Sequence, residues 1–522
     1  MNGIFSNPEI IRNARAQLRP GRMVAIAMIC AVLSLAVGFA FLSEKKTQAE
    51  ERDAGLNFLR MILGWQVGVL ALGGALACAQ SIQREKQMNT FDFQRVTRLT
   101  PWELTLGKLL GAPVITWFIA VCLLPAALWG AVVAHVGPLY LLAAFLVMVV
   151  GSLTYHAAGL LLSLHDVRDA GGRILSVLAL GVVGIALMGF DANTPGTPVG
   201  GRLSPFFALA VVDHQVWDTS WQARCLQVSK NPEYECAAAM RDLFFGRPVN
   251  HFVVFLVVNL IFAAWFLLGV ARNLKRDPSV YEIFTPAQSL GFALYLNVLL
   301  LGFVNWREFK PLEGQMAASV CEIGLFFLLG MMLLRNRDQI RRRLHRLGGR
   351  ATGWIEAIWP APYVVAGMAL TGFAVIATMA RSVGTENDWR VWGRLALFRL
   401  AFLTFWLVRD ILYLQWMGLR RGRRTRGLAL VYWAVYYFTL AILFNTLELY
   451  ATPKSMAHTA IFVPWPVFNL DAVAWAAARE AWILALAMQV LVAGLFVAMQ
   501  RRRLLEMGAG AAPMAAPVAG GD

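Results

Sequence analysis

PLYLLAAFLVMVVGSLTYHAAGLLLSL, residues 138–164, carries no Asp, Glu, Lys or Arg from end to end. At a helical rise of about 1.5 Å per residue it is long enough to cross the roughly 30 Å hydrocarbon core of a bilayer. The run is continuously apolar rather than alternating, so it reads as a spanning helix and not as a barrel strand. Comparable runs recur on both sides of it, in a chain of 522 residues that is 58% hydrophobic and only 15% charged. A soluble domain is about a quarter charged. In lipid the backbone must satisfy its own polar groups, which leaves helices or closed barrels. The fold class expected is therefore an all-α polytopic membrane protein. About twelve transmembrane helices are predicted, near 24–42, 57–79, 109–134, 138–164, 174–190, 251–271, 285–305, 316–334, 361–380, 395–415, 428–450 and 478–499.

Charge orients these spans. With the N-terminus in the cytoplasm, the inside segments hold roughly twice as many Lys and Arg as the outside ones. The densest inside clusters are Arg335, Arg337, Arg341, Arg342, Arg343, Arg346 and Arg350, then Arg420, Arg421, Arg423, Arg424 and Arg426, then Arg501, Arg502 and Arg503. They fall in every second loop, so the net charge of +16 is read as topology and not as nucleic-acid binding. Both termini are expected in the cytoplasm and the chain in a bacterial inner membrane. The first span reads as an uncleaved anchor.

Ahead of that span, SNPEIIRNARAQLRPGR (residues 6–22) suits an N-terminal interfacial amphipathic helix. Asn7 can cap it, Pro8 fits its first position and Glu9 complements its dipole. Cys30, Cys78, Cys122 and Cys321 lie in predicted spans and read as small apolar packers. Cys225 and Cys236 lie in the predicted outside segment 191–250. An oxidising compartment would permit a disulfide between them; two free thiols are the other reading.

The most patterned polar stretch is REKQMNTFDFQRVTRLTPWELTLGK, residues 84–108. Thr100-Pro101-Trp102-Glu103 fits a capping box with proline first in the helix. The helix so begun carries Gly107 and Lys108 into the next span, where the Lys108 ammonium can meet the headgroups. Upstream, Phe91, Phe93 and Val96 stand among Asp92, Gln94, Arg95 and Arg98, a short amphipathic element. The residues alone fit either a solvated loop with a good cap or a docking platform.

The order Glu85, Thr90, Asp92, Leu99-Thr100-Pro101, Glu103, Gly107-Lys108 resembles the cytoplasmic elbow of type-2 ABC exporter permeases. There the pattern runs roughly E-R-E-x-G-T-x-E, a T-P or S-containing turn, then E-x-x-x-G-K. Asn7-Pro8-Glu9, Leu203-Ser204-Pro205-Phe206-Phe207 and Phe244-Phe245-Gly246 resemble the family's start, extracytoplasmic loop and approach to the sixth span. The resemblance covers about 1–275, a six-span unit. Asn89 departs from it, standing where the family usually has glycine. Residues 276–505 would form a second membrane half of about six spans, read either as a diverged repeat or as unrelated, and 506–522 a disordered tail.

The resemblance implies a permease that moves a substrate out of the cytoplasm while a separate ABC-type ATPase subunit hydrolyses ATP with magnesium. The chain has no G-x-x-x-x-G-K-[ST] loop, so no nucleotide cofactor, catalytic residue or metal is expected in it. Phe91, Phe93 and Trp102 would anchor the ATPase contact, Glu85, Asp92 and Glu103 would set its register, and Thr90, Thr100, Gly107 and Lys108 complete the segment. The loop His165–Asp169 would add a second contact, and a second permease copy is a further expected partner.

Charges inside spans carry a cost and so point to a role. Arg399, Arg409 and Asp410 lie on the tenth predicted span, Arg399 towards its outer end, where it would snorkel. Arg409 and Asp410 are helix neighbours about 100° apart, so each is expected to need a partner elsewhere. A structural anchor and a polar gate both fit them. Glu322 and Glu448 read as interfacial, His135, His156 and His251 as packed or interfacial, and Gly64 and Gly68 as a helix-packing face. The competing function classes are a twelve-helix secondary transporter and a non-catalytic membrane scaffold.

Overall fold

The computed structural model describes residues 7–42, 47–164, 204–209, 211–212, 242–244, 247–276, 283–302, 311–335, 337, 339–341, 354–380, 386–420, 425–446, 452–468 and 470–509. The described residues are almost wholly helical. Six helices are long and apolar enough to cross a membrane: Pro20–Phe41, Gln48–Gln87, Val114–Val133, Pro138–Leu164, Phe252–Asn273 and Ala472–Met507. This is a helical membrane protein. The predicted spans near 285–305, 316–334, 361–380, 395–415 and 428–450 also fall on helices, whereas 174–190 lies outside the described residues. One departure from an all-α chain is a hairpin of β1 (Asp242–Phe244) and β2 (Arg247–Val249), with Leu243 opposite Pro248.

The chain divides into two compact units, Met1–Phe284 with 302–304, and the remainder. In the first unit, α1 (Pro8–Gln17) precedes the lipid-type helix α2 (Pro20–Leu42), which leaves Val24, Ile29, Val32, Leu35 and Phe39 exposed. That is the surface a bilayer demands. α3 (Gln48–Val67) starts from a complete capping box, Thr47 with Glu50. It runs through a π-helical turn, Gly68–Gly73, into α4 (Gly74–Gln87). A π-turn breaks the i to i−4 ladder and leaves backbone groups to be satisfied otherwise. Here the Leu70 carbonyl is 2.7 Å from His156 Nε2, on α9 (Pro138–Leu164). His156 is thus a packed residue, as the sequence suggested. α4 and α9 touch backbone to backbone: a Cβ added at Gly159 would lie 2.3 Å from the Ala75 carbonyl oxygen. Among the described residues nothing packs on Gly64 or Gly68: a Cβ at either would meet nothing within 4 Å, so no described helix uses the predicted face. The short helix α5 (Phe91–Val96) and α6 (Pro101–Gly111) follow, then α7 (Val114–Cys122) and α8 (Leu124–Val133). α10 (His251–Asn273) closes the unit against α9, capped by the Asn250 side chain on the backbone N–H of Phe252 and Val253.

The second unit contains α11 (Pro286–Gly302), α12 (Pro311–Leu333), α13 (Trp354–Ala357), α14 (Ala361–Ala380), α15 (Glu386–Gly418), α16 (Thr425–Thr446), α17 (Pro453–Thr459), α18 (Trp465–Phe468) and α19 (Ala472–Ala509). Its core joins Phe326 and Leu329 of α12, Val364 and Met368 of α14, Phe402 and Trp406 of α15. Inside lipid such helices are held by close packing and interhelical hydrogen bonds rather than by exclusion of water. α19 is broken at Ala478, whose backbone leaves the helical region at φ −142°.

Candidate functional site

α6 begins as the sequence requires. Thr100 accepts a hydrogen bond from the Glu103 N–H at 3.2 Å, and Glu103 Oε2 accepts one from the Thr100 N–H at 2.8 Å. That backbone bond, and then the bond from the Thr100 hydroxyl, hold the Glu103 carboxyl below the usual carboxylate range. α1 begins in the same way, with the Asn7 side chain accepting from the Glu9 N–H at 2.9 Å. The other half of that amide donates to the Glu103 carbonyl at 2.6 Å, so one asparagine caps its own helix and ties it to α6.

The two helices meet at glycines. A Cβ at Gly107 would lie 2.7 Å from Glu9 Cβ, and one at Gly111 would lie 3.0 Å from Asn13 Nδ2. Without these side chains, Glu9 reaches the adjacent Lys108. The Lys108 ammonium is not at a headgroup surface, as the sequence suggested, but buried at 1% exposure. It donates to Glu85 Oε2 at 2.5 Å and to Glu9 Oε1 at 3.3 Å. Arg12 bridges the same two carboxylates, at 2.7 Å to Glu9 and 2.8 Å to Glu85. The cluster therefore holds two anions and two cations, which is how buried charge is tolerated. Its members come from three helices, α1, α4 and α6.

Glu85 takes a further bond, from Gln94 Nε2 of α5 at 2.6 Å. This fixes the short helix to the ion cluster. The turn before it passes through Asn89 at φ 55°, a left-handed position that asparagine adopts more readily than most residues other than glycine. The Thr90 hydroxyl donates to the Glu85 carbonyl at 3.3 Å. Phe91 is the second fastening. It is buried, in a cluster with Ile82, Leu104, Leu109, Leu160 and Leu274. Phe91 is thus no outward anchor, contrary to its expected role. The outer face of the segment is carried by Phe93 at 74% exposure, Val96 at 81% and Trp102 at 47%, with exposed Met88 beside them in sequence. Asp92 is also outward and pairs with Arg95 at 3.0 Å. Lys275, just past α10, donates to the Thr97 carbonyl at 2.8 Å.

The predicted segment thus separates into two layers. Glu85, Phe91, Gly107 and Lys108 build it from within, while Asp92, Phe93 and Trp102 face outward, with Thr90, Thr100 and Glu103 setting its turns. Arg12 and Gln94 join the cluster without a signal in the sequence: Arg12 reaches Glu85 across 73 residues, and Gln94 is a neutral amide in a short element. Beside the cluster lies a cavity of about 410 Å³, lined by Glu9, Arg12, Lys108, Gly73 of the π-turn and Thr116.

The intramembrane charges of the second unit are arranged differently. Arg399 does not snorkel: it is buried and donates to the carbonyls of Phe468, at 3.2 Å, and Leu470. Arg409 and Asp410 do pair with each other, Nε to Oδ1 at 2.9 Å, because a long guanidinium can fold back along the helix. Around them, Trp433 Nε1 and the Tyr437 hydroxyl donate to Asp410 Oδ2 at 2.8 and 2.6 Å, and Arg409 also reaches Gln489 at 2.7 Å. Gln489 in turn donates to the Ile461 carbonyl at 2.8 Å, so the network ties α15, α16 and α19 to the end of α17. Glu322 is not at a helix end but at the midpoint of α12, buried, with Oε1 lacking a partner among the described residues.

Cys225, Cys236, Glu448 and the His165–Asp169 loop lie outside the described residues. Among the described residues no group of His, Cys, Asp and Glu could hold a metal ion. Compared with known protein families, with characterised proteins and with solved structures, the chain matches none.

Proposed function

We propose that this chain is the permease subunit of an ABC-type exporter, moving a substrate out of the cytoplasm on ATP hydrolysis by a separate subunit. The observation that carries the reading is the convergence of Asn7, Glu9, Glu85, Glu103, Gly107 and Lys108 on one ion cluster beneath a short helix with an apolar outer face. These are the residues on which the family resemblance rests, and they lie far apart in the chain. A short helix fixed by Phe91 and Gln94 and presenting Phe93 and Val96, with Trp102 exposed at the start of α6, is suited to carry a partner's movement into α4 and α6. The partner ATPase would bind ATP and magnesium and contact that outer face. On this reading the segment 84–108 and both termini face the cytoplasm of a bacterial inner membrane, the remaining apolar helices bring the spans to about twelve, and a second copy of the chain would complete the pathway unless the second half does.

The test is purification of the tagged full chain from its native membrane in mild detergent. A stoichiometric P-loop ATPase, lost on Trp102→Ser with Phe93→Ser while the chain stays monodisperse, is the expected result. Recovery of the chain alone, even after crosslinking, would remove the exporter reading. One observation favours secondary transport instead: Glu322, buried about one turn inside the apolar stretch Ala318–Leu333 of α12, is an intramembrane carboxylate of the kind that ion coupling uses. Uptake that follows a proton gradient in proteoliposomes and is abolished by Glu322→Gln would favour that class.

A further inference from the structure

At one end of the second unit, three stretches that the charge rule assigns to the same side of the membrane come together around one cavity. Arg337 follows α12, Arg420 follows α15 and Arg503 lies near the end of α19. With Leu419, Glu506 and Met507 they line a space of about 520 Å³. Its setting is built. Gln415 of α15 accepts from the Arg335 N–H at 2.8 Å and donates to the Arg335 carbonyl at 3.0 Å, which fixes the strand of chain leading to Arg337. Arg335 itself is engaged elsewhere, with Glu356 at 2.8 Å and over the Trp359 ring. Arg420 and Arg503 share one indole, Trp416, at 4.5 and 4.7 Å from its centroid. Ile340, Ala357, Leu419 and Leu504 form a small apolar core at this end.

Two guanidiniums on one ring, with a third at the same cavity, repel each other. Among the described residues none of the three is in a salt bridge, and the one carboxylate of the described lining, Glu506, lies between Arg503, on which it acts electrostatically, and Arg502, with which it pairs at 3.3 Å, so three guanidiniums face one shared anion. The arrangement is short of negative charge and offers forked donors, the geometry that matches phosphate oxygens. Its volume lies within the roughly 300–1,000 Å³ of small-molecule sites, more than a bare phosphate ion fills. We propose that this cavity binds a phosphate ester, taken either from the headgroup of an anionic phospholipid or from a soluble phosphate ester. The site stands independently of the exporter reading.

Native mass spectrometry of the delipidated full chain tests it, with phosphatidylglycerol, phosphatidylcholine and glycerol 3-phosphate as probes. Phosphatidylglycerol should bind, phosphatidylcholine should not compete, and Arg337→Gln/Arg420→Gln/Arg503→Gln should lower the affinity by about tenfold or more. Arg479→Gln, at the other end of α19, should leave it unchanged. Displacement of the lipid by glycerol 3-phosphate would identify a soluble ester as the source, and its failure to displace would identify the headgroup. Equal binding of phosphatidylglycerol by the triple variant, or of phosphatidylcholine by the native chain, would overturn the proposal. If the triple variant is not monodisperse, Arg420→Gln alone carries the same two outcomes.

Discussion

The Lys108 cluster of the first unit and the Arg409–Asp410 group of the second both keep charge out of water, yet they are built for different ends. The second group is enclosed by apolar core on every side that the described residues show, with Trp406, Trp433 and Tyr437 around it. Its bonds fasten α15, α16 and α19 to one another. The first group has one flank on a cavity, and Glu85 within it holds the short helix that presents Phe93 and Val96 outward. Buried charge alone therefore does not separate the two groups. What separates them is the connection of the Lys108 cluster to an exposed apolar face and an open space.

That contrast can be broken by substitution. The largest loss is expected from Asp410→Ala, which strands Arg409 in the core and should cost about 3–5 kcal/mol by thermal unfolding in detergent. Arg409→Met with Asp410→Leu should recover much of that loss; if it does not, the pair is more than a fastening. Lys108→Met comes next, at about 3 kcal/mol, because Glu9 and Glu85 then share only Arg12. It should also free α1 and α5, read as faster amide exchange over residues 8–17 and 91–96, with the second unit unaffected. Thr100→Ala removes the cap of α6 and should cost about 1 kcal/mol, with exchange quickening at Glu103 and Leu104 first.

A smaller effect is pH dependence at the same cap. The Glu103 carboxyl is held below its ordinary value by the Thr100 backbone bond, so the folded state prefers it ionised. The contribution is complete above the unfolded carboxylate range and is lost as pH falls through the lowered folded value. Amide exchange in the first turn of α6 should accelerate on acidification below about pH 4, and Glu103→Gln should remove the trend. The smallest stability change, within about 0.5 kcal/mol, is expected for Phe93→Ser, since the ring touches little of its own chain. A large destabilisation there would mean that the ring packs inward and the two layers are misassigned.

Sequence legibility followed distance along the chain. The caps at Asn7 and at Thr100 with Glu103 were readable because donor and acceptor lie two or three residues apart. The apolar spans were readable because lipid leaves helices little else to be. The Lys108 partners were not, since Glu85 and Glu9 stand 23 and 99 residues away. Glycine spacing misled in one place and would have served in another. Gly64 and Gly68 share the spacing of Gly107 and Gly111, but among the described residues only the second pair has a helix against it. Helix geometry at Cβ sets Arg409 and Asp410 about 100° apart, but the reach of a guanidinium closes that gap. Glu322 lies at the midpoint of α12 because the helix begins at Pro311, ahead of its apolar stretch Ala318–Leu333.

Site-specific photocrosslinking in native membranes tests the central claim most directly. A photoreactive residue at 93 or 96 should capture an ATPase subunit in a ratio that changes with bound nucleotide, while the same residue at 91 captures none. Capture from position 91 would contradict the two-layer platform alone, and no ATPase from positions 93 and 96 in chains that fold and insert would contradict the platform and the exporter reading together.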